Sequence, residues 1–169
     1  MVPYHRPMEL RDAQVLLRPI EATDADGILA GLNDPDCARF MVMIPAPYTR
    51  ADADAWVERC AAVWQSGESF PFAIVDAETG GLLGSIELSG EDTIGYWVAR
   101  DARGRGVATR ALTLLCGWAT QRPLHLTTHP ENVASQRVAE KAGFRRIGTT
   151  SDHPPFKDET REAVLFELT

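Results

Sequence analysis

Two periodicities alternate through the 169 residues of this chain. Val15, Leu16 and Leu17 form a short apolar run that closes at Pro19 and Ile20, which predicts a strand over 15–20. Ile28, Leu29 and Leu32 then fall at helical spacing, with Thr23 as the expected N-cap and Asn33-Asp34-Pro35 as the stop. After a proline-bearing loop at 44–48, Trp56, Val57, Cys60, Val63 and Trp64 mark a longer helix, capped by Thr49 or Asp52 and closed by Gly67. Strands follow at 70–76, 82–88 and 93–98, and the turns that join them, at 78–81 and 90–92, are short enough to imply an antiparallel meander. Ala108, Ala111, Leu112, Leu115 and Ala119 return to the helical period over 106–119. A strand at 124–128, a helix at 132–142 with Asn132 as N-cap and Gly143 beyond its end, and strands at 144–149 and 162–168 complete the pattern.

The expectation is one α/β (α+β) domain over residues 1–169: a mostly antiparallel mixed sheet of about seven strands, flanked by about four helices. The strand-turn-helix-strand unit from 94 to 128 sets two strands parallel. A split between such neighbours can admit an extended ligand.

The turn inside that unit, Arg103-Gly104-Arg105-Gly106-Val107-Ala108, carries the most chemistry. The first N–H groups of a helix have no partner within it, and the aligned peptide dipoles favour an anion there. Gly104 and Gly106 let the main chain approach such an anion without a Cβ in the way. A dinucleotide fingerprint does not fit, because Thr109 stands where the third glycine belongs and no carboxylate occurs near Thr127 and Thr128. A P-loop is absent too, since no Gly-Lys-Ser/Thr triplet occurs. Alone, this run is equally compatible with a surface turn of solvated arginines.

Charge narrows the partners. The net charge is −7 and the pI about 5.1, which argues against nucleic acid or an anionic membrane as partner. Between Arg100 and Arg122, however, five arginines face the single carboxylate of Asp101. Such a basic island in an acidic chain suggests an anionic cofactor at one place and a cationic or neutral substrate elsewhere. Cys37, Cys60 and Cys116 lack any C-x-x-C spacing and read as reduced core thiols of a cytoplasmic protein. Residues 1–10 carry no apolar stretch of the secretory kind, and no run is long enough to span a bilayer. His125 and His129 are about 13 Å apart along an extended strand, too far to share a metal, so no metal is expected.

In combination, three ordered segments resemble the GNAT superfamily of acyl-CoA-dependent N-acyltransferases. The superfamily's Q/R-x-x-G-x-G/A motif is met by Arg103, Gly106 and Ala108. The segment Ile94-Gly95-Tyr96-Trp97-Val98 precedes it, and Glu131-Asn132-Val133-Ala134-Ser135-Gln136-Arg137-Val138-Ala139-Glu140-Lys141-Ala142-Gly143-Phe144 follows. Together they are similar to the ribosomal-protein alanine N-acetyltransferases. The resemblance implies acetyl-CoA as cofactor. It implies a bulged strand ending near Val98 that splays from 124–128, with the pantetheine arm paired to the freed edge. The diphosphate then falls to the main chain of Arg103, Gly104, Arg105, Gly106, Val107, Ala108 and Thr109. Trp97, Val98 and Ala99 line the arm, an N–H of Val98 or Ala99 polarises the thioester carbonyl, and Asn132 reaches the pantetheine or the reacting end. Ala139 stands where many relatives carry a tyrosine acid, so the proton for the departing thiolate falls to Ser135 or to water.

Transfer to nitrogen requires a neutral amine. Deprotonation at pH 7.4 costs roughly 0.5 kcal/mol for an α-amine and about 4 kcal/mol for a lysine. Glu87 is the first candidate base, on the strand face that also carries Ser85, and Tyr96 is a further candidate site residue. His153 sits on a loop that could border the acceptor mouth. The favoured acceptor is a protein N-terminal α-amine, with a polyamine, amino acid or aminoglycoside as the alternative. A coenzyme-binding sensor without turnover is the reading from another class, and a homodimer is left open.

Overall fold

In the computed structural model, which describes residues 9–90 and 92–169, eight strands form one sheet in the order β1-β2-β3-β4-β5-β6-β8-β7. The strands are β1 (Leu10–Arg11), β2 (Val15–Pro19), β3 (Ser69–Asp76), β4 (Leu82–Ser89), β5 (Thr93–Val98), β6 (Leu124–Thr128), β7 (Arg145–Thr150) and β8 (Ala163–Leu168). Every neighbouring pair is antiparallel except β5 and β6. The helices are α1 (Ala25–Leu32), α2 (Pro35–Phe40), α3 (Arg50–Ser66), α4 (Val107–Trp118) and α5 (Val133–Lys141). The expected secretory-signal test at 1–10 falls mostly on residues outside those described, as does Glu91 of the turn at 90–92.

β3 is buried along nearly its whole length because helices cover both faces of the sheet. On one face Phe70, Phe72, Ile74, Ile86, Leu88, Leu124, Leu126 and Phe166 pack against Ala111, Leu112 and Leu115 of α4. On the other, Ala73, Val75 and Trp97 pack beneath Ile28 and Leu32 of α1 and Ala53 and Cys60 of α3. Gly31 of α1 permits this approach, since a Cβ there would lie 2.2 Å from the Trp97 ring.

The caps explain where sequence and structure part. Thr49 does cap α3, accepting from the Asp52 N–H while Asp52 accepts in return, and Gly67 ends the helix at φ 73°. Thr23 does not cap α1. Residues Ala22–Asp24 form a 3-10 turn, because buried Asp24 accepts the Glu21 N–H at 2.8 Å and is clasped by two Arg18 nitrogens, each at 2.8 Å. Pro35 stops α1 and also begins α2, as the first-turn proline that follows an Asp34 cap. The bulge implied near Val98 is not there: β5 keeps unbroken register with β4 from Thr93–Ser89 to Val98–Gly84. Register shifts occur instead in β3–β4, at Ile74/Val75, and in β7–β8, at Arg146/Gly148.

Candidate functional site

The parallel strands β5 and β6 pair at one position, Thr93 with His125. The His125 N–H donates to the Asp92 carbonyl at 2.8 Å, and its ring lies between Asp92 (2.9 Å) and Glu167 (3.3 Å), which pins the fork. Beyond it the strands part. Main-chain groups of a strand alternate between its two neighbours. The Ala99 N–H donates to the Leu83 carbonyl at 2.8 Å, so Ala99 and Trp97 turn their polar groups towards β4. Tyr96 and Val98 therefore turn theirs into the split. The Val98 carbonyl accepts from Arg103 Nε at 3.1 Å, which leaves its N–H as the open donor of that pair.

At the end of the split, Gly104 and Gly106 take left-handed conformations (φ 71° and 75°), and a Cβ on either would meet nothing within 4 Å. The first bond inside α4 is from the Arg110 N–H to the Gly106 carbonyl at 3.0 Å. The N–H groups of Val107, Ala108 and Thr109 precede it, and no side chain caps them. The arginines around this turn do not form a free basic island. Arg103 binds Asp34 at 2.6 Å, Arg100 binds Asp34 and Asp36 at 3.3 Å each, and Arg110 binds Asp12 at 2.8 Å. Arg105 lies 3.9 Å from Asp76, and Arg122 donates to main-chain carbonyls. The positive groups left open at this turn are thus the main-chain N–H groups at the start of α4.

Across the split stands α5. The Asn132 side chain accepts the Ser135 N–H at 3.2 Å and caps the helix. One turn in, Ser135 Oγ meets the Tyr96 hydroxyl at 2.7 Å, so two hydroxyls from opposite walls share a hydrogen bond. Burial pushes the Tyr96 hydroxyl up to about 12, partly opposed by this bond. Ala139 is fully buried in the core, and the tyrosine hydroxyl near Ser135 comes from β5 instead.

Two cavities meet at these residues. One, of about 510 Å³, runs from Tyr96, Val98 and Ser135 past Gly104 and Gly106. The other, of about 750 Å³, lies over Glu87 and Gly95 and extends to His129, His153 and Phe156. Tyr96, Trp97, Asn132 and Ser135 border both. Glu87 is partly exposed, pairs with Gly95 in register, and has no hydrogen-bond or ion-pair partner among the described residues. A Cβ on Gly95 would meet nothing within 4 Å, so the space above Glu87's neighbour is open. Tyr96 pairs with Ile86 and so shares the opposite face from Glu87. The two expected site residues reach one cavity only because the sheet is split beside them.

His153, singled out in the sequence, does line the cavity over Glu87, but the aromatic wall it joins was not foreseen. Phe40 stands 5.1 Å from the His129 ring, His129 stands 4.7 Å from Phe156, and His153 stacks on Phe156 at 4.6 Å. His129 Nδ1 accepts the Glu131 N–H at 3.0 Å and Nε2 faces Asp158 at 2.7 Å, an arrangement that places the proton on Nε2. Asp158 is drawn down to about 2, first by the Thr160 N–H and then by His129. His129, Glu131 and Asp158 place ligand-type atoms within 4.8 Å of one another, a trio the histidine spacing alone did not suggest. Hydrogen bonds already engage both histidine nitrogens, and Glu131 pairs with Arg39. Besides His153, the signal for this wall was Asp34-Pro35, which marks the start of the helix that carries Phe40.

Residues 14–145 match the family described as the acetyltransferase (GNAT) domain. The chain is 29% identical over 154 residues to a probable N-acetyltransferase, YjcK, of Bacillus subtilis (strain 168), with 82% of this chain and 84% of that one covered. Its fold follows RimL, a ribosomal L7/L12 alpha-N-protein acetyltransferase solved with coenzyme A, at TM-score 0.84 and 14% identity over 95% of this chain and 97% of that one. The microcin C7 self-immunity acetyltransferase MccE, solved with acetyl-CoA and AMP, gives TM-score 0.83 and 16% identity over 94% and 93%.

Proposed function

The chain belongs to the GNAT acetyltransferase family, and we propose that it transfers an acetyl group from acetyl-CoA to a protein N-terminal α-amine. The observation that carries this reading is the split itself: an open strand edge with unpaired N–H groups at one end and two cavities meeting at Tyr96 and Ser135. When bound, acetyl-CoA supplies the activated acyl group as a thioester. The N–H groups of Val107, Ala108 and Thr109, with the relaxed main chain of Gly104 and Gly106, suit its diphosphate. The Val98 N–H faces the split, where it stabilises charge developing on the thioester oxygen. Ala99 is not used for this, because its N–H is spent on Leu83.

The division of the sheet divides the protons. Glu87 takes the proton of the attacking amine from the larger cavity, and Ser135 gives one to the departing sulfur on the other side of the strand. The new carbon–nitrogen bond replaces the carbon–sulfur bond, and the proton released at nitrogen balances the one accepted by sulfur. Tyr96 holds Ser135 in line through the 2.7 Å bond. A partly solvated carboxylate with no partner suits an α-amine, which needs little help to lose its proton, better than a lysine. A cytoplasmic setting belongs to the same proposal, supported by three free and buried cysteines.

The test is thiol release from acetyl-CoA with a panel of peptides bearing free N-termini and a matching panel of small amines. Release with peptides is expected, and loss of it on N-terminal blocking places the chemistry at the α-amine. Release only with small amines removes the protein acceptor, and binding without release on any amine leaves a sensor.

A further inference from the structure

Two cations near the diphosphate turn have no structural employment. Arg137 and Lys141 lie four residues apart on α5, hence on one helical face, and both line the cavity that contains Gly104 and Gly106. Neither makes a hydrogen bond or an ion pair with any described residue. The arginines of the opposite wall differ in this respect, since Arg100 and Arg103 are held by Asp34 and Asp36. Asp36, the one carboxylate lining the cavity, is therefore already engaged. Like charges at this spacing repel along the helix, so α5 carries a mild cost that an anion between them would reverse.

We infer that Arg137 and Lys141 bind the 3′-phosphate of the coenzyme and make this site selective for CoA over dephospho-CoA. The inference rests on the coenzyme reading above and deepens it. Ser135 stands at the reacting end of the cavity, and α5 climbs on the order of 9 Å from there to Lys141. The cations thus sit progressively farther from the reacting end, on the wall facing the diphosphate turn. A ligand whose diphosphate rests on the α4 terminus still carries a dianionic phosphomonoester on its ribose. These are the cations left to receive it. A guanidinium and an ammonium serve that group well, one through paired N–H donors and the other as a compact charge.

Calorimetric titration with CoA and with dephospho-CoA reads this directly, without turnover. Wild type should bind CoA roughly tenfold more tightly, and the double variant Arg137→Ala/Lys141→Ala should bring that ratio to about one, with dephospho-CoA affinity unchanged. Alanine favours the helix at both exposed positions, and the dephospho-CoA affinity serves as the control for folding. Arg137→Glu/Lys141→Glu should invert the preference. Equal affinity of wild type for the two coenzymes, or equal weakening of both in the alanine variant, overturns the assignment. Absence of binding by wild type to either coenzyme overturns the proposed function, and this inference with it.

Discussion

Tyr96 and Ser135 lie 39 positions apart in the chain, and in the proposed mechanism their 2.7 Å contact gives the departing sulfur a proton donor that does not depend on residue 139. Ser135→Ala keeps the main-chain N–H that Asn132 caps, so its effect should fall on chemistry. A kcat about 100-fold lower, with KM for acetyl-CoA nearly unchanged, is expected from steady-state kinetics. Tyr96→Phe should lower kcat about tenfold, because Ser135 is then left to wander among rotamers. Since burial holds the Tyr96 hydroxyl near 12, it stays protonated through neutral and mildly alkaline pH. The alkaline limb of the kcat profile should therefore be the same in Tyr96→Phe and wild type. An unchanged kcat in that variant would remove the hydroxyl pair from the mechanism.

Loops tied to strands set the shape of the cavity over Glu87, and in the His129–Asp158 tie the Asp158 carboxyl is drawn well below its ordinary value. Asp158 has a folded value of about 2, below the usual carboxylate value near 3.9. Its ionisation thus stabilises the fold above about pH 4 and ceases to do so as pH falls through 2. Asp158→Asn should melt below wild type at pH 7, and the gap should close between about pH 4 and pH 2 in calorimetric scans. How far the elements were readable follows the range of the forces that shape them. Thr49, Gly67, Asn132 and Gly143 act within one helical turn, so caps and ends could be read directly. Thr23 failed as a cap because Arg18 drew Asp24 into the core, a competition that propensity does not register. Leu10–Arg11 is too short to show a period, and Pro35 both ends one helix and starts another. The glycine turn before α4 was legible because its shape is set by local main-chain conformation at Gly104 and Gly106. The partners of its arginines, Asp12, Asp34, Asp36 and Asp76, lie far away in sequence, and charge counting therefore overstated the free positive field.

Taken as a whole, the proposed mechanism sets Glu87 as base and Ser135 as acid on opposite sides of one sheet and joins them through a gap. Each side can be closed independently. Gly95→Leu projects into the open space beside Glu87, away from the cavity at Gly104 and Gly106. Coenzyme affinity should stay within about twofold while kcat/KM for the amine falls at least tenfold, roughly the effect of filling an acceptor subsite. Matched losses on both substrates would show that the cavities are not separate. One further property follows from the lone Thr93–His125 rung. Strands β1–β5 and β6–β8–β7 share one packed core but meet within the sheet at that one main-chain pairing, so the amides of Tyr96 and Val98 border a seam that solvent can enter. Deuterium should reach them early in the empty protein and late once coenzyme A is added, with the slowing spreading into β6. A seam that exchanges at the same pace in both states would mean that the ligand never closes it.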